Sequence, residues 1–99
     1  MKFLVLFKAF DTIATDAETR KLREVAGKQI DCVMASGKVL AGGIFADDRG
    51  GFLLLDRVES AEELLSLLGG GLVDRFHLES HPVVSFESLK EFFQKNPVI

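Results

Sequence analysis

Val39-Leu40-Ala41-Gly42-Gly43-Ile44-Phe45-Ala46-Asp47-Asp48-Arg49-Gly50-Gly51-Phe52-Leu53-Leu54-Leu55-Asp56 decides the fold. Residues 39–46 form a short apolar run, read as a strand. Gly42-Gly43 inside it weakens strand pairing, as glycine does at a bulge or at a close approach by another backbone or a ligand. Asp47-Asp48-Arg49-Gly50-Gly51 has the composition of a tight turn. Residues 52–56 are nearly continuous in leucine, the pattern of a strand buried on both faces. Leu40 and Ile44 alternate with Val39 and Phe45, so both sides of the first strand are apolar.

Working outward, each flank of this hairpin carries a helix and then a strand. On the N-terminal side, residues 3–10 are rich in Phe, Val and Leu and read as strand one. A polar connection over residues 11–15 follows. Thr15 and Glu18 have the spacing of a capping box, which satisfies free backbone donors at a helix start. The helix runs to about Ala35. Leu22, Val25, Ala26, Ile30, Val33 and Met34 recur at helical spacing, with Gln29 at the edge of their stripe. Gly37 suits the position just after the helix end.

On the C-terminal side, Ser60 and Glu63 repeat the capping signal. The helix spans residues 61–68 and is expected to stop at Gly69-Gly70-Gly71, with a mobile loop there. Residues 76–84 form strand four. Ser85 caps a last helix carrying Leu89, Phe92 and Phe93 on one side, and Pro97 stops it. The order strand, helix, strand, strand, helix, strand is the split βαβ pattern of ferredoxin-like α+β domains. The hairpin and the handedness of crossovers predict a four-stranded antiparallel sheet in the order 4-1-3-2, with both helices on one face.

The composition fits one globular domain: 99 residues, 47% hydrophobic and 27% charged. The net charge is −3, from 15 acidic and 12 basic residues. That balance argues against a nucleic-acid partner, which calls for a basic excess or stripe. Nine phenylalanines stand beside no tyrosine and no tryptophan, which removes tyrosine as a catalytic acid. Cys32 is the one cysteine, so no intrachain disulfide forms, and a reducing, cytoplasmic setting is expected. Lys8 interrupts the first apolar run, which reads as a strand rather than a signal segment. No stretch approaches the ~20 apolar residues of a membrane span.

The chemistry sits on strand four, Phe76-His77-Leu78-Glu79-Ser80-His81-Pro82-Val83-Val84. Its two-residue alternation puts His77, Glu79 and His81 on the side opposite Phe76 and Leu78. These are the only two histidines, with a carboxylate between them. The expected sheet order sets strand four beside strand one, bringing His77 near Lys8. Lys8, His77, Glu79 and His81 are the candidate catalytic residues. A lysine can stabilise an enolate or carboxylate, and a histidine of ordinary pKa, roughly 6.5, can move a proton. Glu79 can orient a histidine or serve as the base. The alternative is a solvated edge, where polar side chains guard against aggregation. The His77-Glu79-His81 triad also admits a metal, without a complete ligand set. Gly42-Gly43 and Gly69-Gly70-Gly71 match no phosphate-binding fingerprint. Cys32 has no neighbouring histidine in sequence, and Asp74-Arg75 read as a surface pair at a cavity mouth. No cofactor is implied.

One layer of helices leaves the other sheet face bare and apolar. A homodimer, or a larger homo-oligomer, covers it by packing two sheets together. The alternative is that the last helix folds back over its own sheet. The order of elements, and the stretch from Asp56 to Leu68 that steps from strand three into a serine-capped leucine helix, resemble the dimeric α/β-barrel superfamily, in particular its muconolactone isomerase-like branch. The resemblance implies a cavity in each protomer, walled by sheet and helices and closed by a partner subunit. It also implies cofactor-free proton transfer, an isomerisation, on a small organic acid or lactone. A non-catalytic small-ligand-binding or assembly module and a cofactor-free monooxygenase are the alternatives.

Overall fold

Alternation along the first strand divides the molecule into a helix-covered side and a bare side. The computed structural model describes residues 1–10, 15–46 and 49–97. Its elements are β1 (Lys2–Ala9), α1 (Asp16–Ala35), β2 (Val39–Ile44), β3 (Gly50–Leu55), α2 (Ala61–Val73), β4 (Phe76–Val83) and α3 (Phe86–Lys95). The strands form one antiparallel sheet in the order β2-β3-β1-β4. This is the ferredoxin-like α+β arrangement expected from the sequence, with α3 appended. The expected connection at residues 11–14 and the turn residues Asp47 and Asp48 lie outside the described residues.

The core forms between the sheet and the two helices. Val5, Phe7 and Ala9 of β1 join Leu53 and Leu55 of β3 and Phe76 of β4. Leu22, Ala26 and Val33 of α1 and Leu64, Leu68 and Leu72 of α2 close over them. Phe7 and Phe76 meet edge to face, centroids 5.3 Å apart at 87°, a favoured aromatic geometry. The helix starts follow the sequence signals. Thr15 accepts from the Glu18 amide, Ser60 from the Glu63 amide and Ser85 from the Ser88 amide, each at 3.1 Å. Gly37, at φ 73°, follows α1 in the left-handed conformation.

Three features depart from the sequence reading. First, β2 carries a bulge between Val39 and Ala41, so Val39 pairs with Leu55 but Ala41 with Leu54. One extra residue reverses the alternation. Val39 and Phe45, expected on one side, therefore fall on opposite faces. Second, Gly50 and Gly51 belong to β3 rather than to the turn. An added Cβ at Gly50 would lie 2.0 Å from the Phe7 carbonyl oxygen, so only glycine fits there.

Third, α2 does not stop at the glycine triplet. It kinks at Gly69 (φ 63°, ψ 170°) and continues to Val73. Continuing buries Leu72 completely, and apolar burial of that size is worth about 2 kcal/mol. Gln29 of α1 donates its side-chain amide to the Leu67 carbonyl beside the kink, at 2.8 Å.

The β3–α2 connection is tied down by charge. Lys38 donates to the Arg57 carbonyl at 2.9 Å and bonds the Glu63 carboxylate. Glu63 also accepts from the Glu59 amide at 3.0 Å. Lys38, with that amide, holds the Glu63 carboxyl below its ordinary pKa. Arg57 sits at φ 57°, and its guanidinium donates to the Gly37 carbonyl at 3.0 Å.

The last helix does not fold back over the sheet. No residue of α3 is buried, and the long dimension of the chain is 55 Å against 26 and 21 Å. The radius of gyration of 16.1 Å exceeds the ~13 Å of a compact domain this size.

Candidate functional site

The uncovered face of the sheet carries the residues singled out on strand four. Directly opposed residues of antiparallel strands share a face. Lys8 is paired with His77, Leu6 with Glu79 and Leu4 with His81. Because Val5, Phe7 and Ala9 point to the helices, these pairs point away from them. Lys8, His77, Glu79 and His81 are all exposed in the single chain. His81 Nε2 lies 3.3 Å from Glu79 Oε2, a contact in which the carboxylate can orient the ring. The His77 ring stands edge-on to Phe10, centroids 4.7 Å apart.

The rest of that face is apolar. Leu6 pairs with Phe52 and Leu4 with Leu54. Phe45, turned to this side by the bulge, stacks with Phe52 at 6.5 Å and 23°. The face is thus a strip of leucine and phenylalanine with a polar border along β4. Among the described residues, no group of three His, Cys, Asp or Glu side chains is placed to hold a metal. Cys32 is exposed on α1, and Asp74 forms the C-cap of α2.

A second site lies on the opposite side of the sheet. A cavity of about 330 Å³ opens between α1 and the sheet, walled by Phe7, Leu22, Ile30, Ile44 and Phe76. Thr19, Arg23 and Arg49 are its polar members. Thr19, Arg23, Ala26 and Ile30 follow the three-to-four-residue spacing of one helix flank, which carries the arginine to the same wall as the apolar groups. Among the described residues, no histidine, carboxylate or cysteine lines it. An apolar chamber with guanidiniums can hold a small apolar anion by burial and charge-assisted hydrogen bonds.

The sequence reading named the polar row and, through the resemblance, expected a cavity walled by sheet and helices, but it singled out none of the residues that line this one. Arg49 reads as a turn residue in sequence, and Arg23 is not singled out there. The signal that finds Arg23 is the flank of α1, where it lies one turn after Thr19 and one turn before Gly27; Arg49, just before β3, has no such signal. The two sites do not meet within one chain: the sheet separates them.

These features define a ferredoxin-like α+β protein with an apolar cavity under its helices and a polar border on its bare face. No family model matches the chain, and no curated protein matches it.

Proposed function

We propose that this chain is a small-ligand protein that takes an apolar organic acid or lactone in the cavity between α1 and the sheet, and that it works as a homodimer joined through the bare sheet face. The observation that carries the reading is the cavity itself: about 330 Å³, apolar-walled, with Arg23 and Arg49 among its lining. That size is at the small end of ligand sites, roughly 300–1,000 Å³. The lack of a base among the described lining residues favours binding over chemistry at this point. The apolar strip of Leu4, Leu6, Phe52 and Leu54 supports the dimer, since a contiguous apolar face marks an interaction surface.

The test is a thermal-shift and calorimetric screen of small aromatic and alicyclic carboxylates against their neutral amides. A ligand that binds only the native state raises its stability. Carboxylates are expected to raise the melting temperature, and Arg23→Gln to weaken them about tenfold, the equivalent of about 1.4 kcal/mol. Equal binding of acid and amide by both proteins sinks the reading.

A second reading has its own observation, the pairing of Lys8 with His77 beside the Glu79–His81 contact. It is the cofactor-free proton transfer of a muconolactone isomerase-like enzyme. Lys8 stabilises the developing negative charge, and His77 or Glu79 moves the proton. Cofactor-free oxidation is the variant of this reading. In a face-to-face dimer this row borders the chamber between the sheets. Unchanged turnover of an identified substrate by His77→Ala and Glu79→Ala would exclude it.

A further inference from the structure

The ligand cavity does not end at Ile44. A groove of about 370 Å³ continues from it along β2, and Phe7, Ile30 and Ile44 line both. The cavity holds Thr19, Arg23 and Arg49. Among the described residues, the groove holds apolar side chains and glycine alone, with Met34 of α1 facing Val39, Leu40 and Leu53 of the sheet.

Both walls run in the same order. One flank of α1 spans the whole length, since Thr19, Arg23, Gly27, Ile30 and Met34 recur every three or four residues. On the sheet, Arg49 precedes β3 and Ile44 is paired with Gly51, while Val39 starts β2 at the far end, paired with Leu55. The passage therefore leads from a cationic end at Arg23 and Arg49 to an apolar end at Met34 and Val39. The rise of α1 from Arg23 to Met34 is ~16 Å, and β2 from Ile44 to Val39 covers about the same length.

Two glycines keep the passage wide. A Cβ at Gly27 would meet nothing within 4 Å. Gly42, paired with Leu53 on the helix side, puts no side chain on the floor. Along this floor and wall Met34, Leu40 and Ile44 are 57%, 53% and 69% exposed, so an apolar group laid over them is stabilised by their burial.

The two ends decide the occupant. A helix or a second copy laid on the groove covers its apolar walls and leaves the arginine chamber behind it unfilled. A compact acid fills that chamber and leaves the groove in water. A long-tailed acid satisfies both. An extended alkyl chain advances about 1.3 Å per carbon, given its ~1.5 Å bonds. We propose that the site takes a straight-chain aliphatic carboxylate of about ten to twelve carbons, its head at Arg23 and Arg49 and its tail along the β2 groove. The inference rests on the cavity reading above and names the ligand class for it. The groove lies on the helix side of the sheet, so a dimer joined through the bare faces leaves it open.

Calorimetry with straight-chain carboxylates from butyrate to dodecanoate, each below its micelle concentration, tests this. Each added methylene is expected to tighten binding roughly two- to fourfold as far as decanoate. Arg23→Gln is expected to weaken hexanoate and decanoate alike, about tenfold. Met34 is exposed, so Met34→Glu keeps the fold, checked by circular dichroism. It sets a charge against the tail and is expected to weaken decanoate about tenfold while hexanoate binds as before. Decanoate with a terminal diazirine, irradiated in the complex and digested with trypsin, is expected to label residues 29–38, the fragment between Lys28 and Lys38 that carries Ile30 and Met34. Affinity that levels off at hexanoate, or a Met34→Glu chain that binds decanoate as the parent does, overturns the tail site and leaves the cavity reading standing. Label elsewhere in the chain does the same. Binding indifferent to Arg23→Gln, or no binding at any length, overturns both.

Discussion

Gln29 donates its side-chain amide to the Leu67 carbonyl at 2.8 Å, across the contact between α1 and α2. The acceptor lies beside the kink at Gly69, where the helical run is interrupted. A helix break near the core leaves backbone groups in need of partners, and the glutamine supplies one. Gln29→Leu keeps the bulk and removes the donor. It is expected to lower unfolding stability by about 1–2 kcal/mol, read as a lower urea midpoint with an unchanged slope. An unchanged midpoint refutes the assignment.

Gly69→Ala is expected to be more damaging, for two separable reasons. The residue is left-handed at φ 63°, and its added Cβ would lie 2.7 Å from the Gln29 amide group. The backbone term alone is about 1–2 kcal/mol. Adding Gln29→Ala should relieve the clash but not the backbone strain, so the double variant is expected to lose less than the two single losses added together. Strict additivity in denaturant titrations contradicts this.

Glu63 carries an acid-sensitive part of the stability. Lys38 lowers its pKa in the folded chain. The unfolded chain therefore takes up the proton first as pH falls. The contribution is present in full above the ordinary glutamate value and is lost as pH drops through the lowered folded value. Glu63→Gln should flatten this acid limb between neutral pH and pH ~3, measured by thermal melts across a pH series. Identical limbs for the two proteins rule it out.

Gly27 lies within α1 and on the cavity lining. A Cβ there would meet nothing within 4 Å. Gly27→Ala is expected to stabilise the chain by about 1 kcal/mol, the ordinary cost of a glycine inside a helix. The same methyl projects at the cavity wall, so binding of a carboxylate found in the screen should weaken. A variant that is stabilised yet binds equally well places the ligand elsewhere.

The bare face is tested by Leu6→Lys. Leu6 is paired with Phe52 on one side and Glu79 on the other, at the middle of the apolar strip. Sedimentation should show the variant as a monomer at concentrations where the parent is a dimer, with its circular dichroism retained. A variant that remains dimeric contradicts the sheet-to-sheet interface.

The local parts of this fold are legible in the residues because their causes are local. Thr15, Ser60 and Ser85 bond amides three residues away, so each helix start is written in four consecutive positions. The alternation of β1 and β4 needs only the geometry of an extended chain, and it placed Lys8, His77, Glu79 and His81 on one side. The order of elements then left few topologies open, and the sheet has the expected one.

What the tertiary structure decided depends on contacts distant in sequence. The bulge between Val39 and Ala41 exists only against β3, and it turned Phe45 onto the bare face. The last turn of α2 survives the glycine triplet because Leu72 is buried and Gln29, 38 positions before Leu67, bonds its carbonyl. The cavity brings α1 against strands at both ends of the chain, so no window of sequence displays Arg23 and Phe76 together. The sequence by itself determined the elements and their sides, through interactions spanning a few residues. Only long-range packing decided where α2 ends, which way Phe45 points and that the polar row and the cavity lie on opposite faces of one sheet.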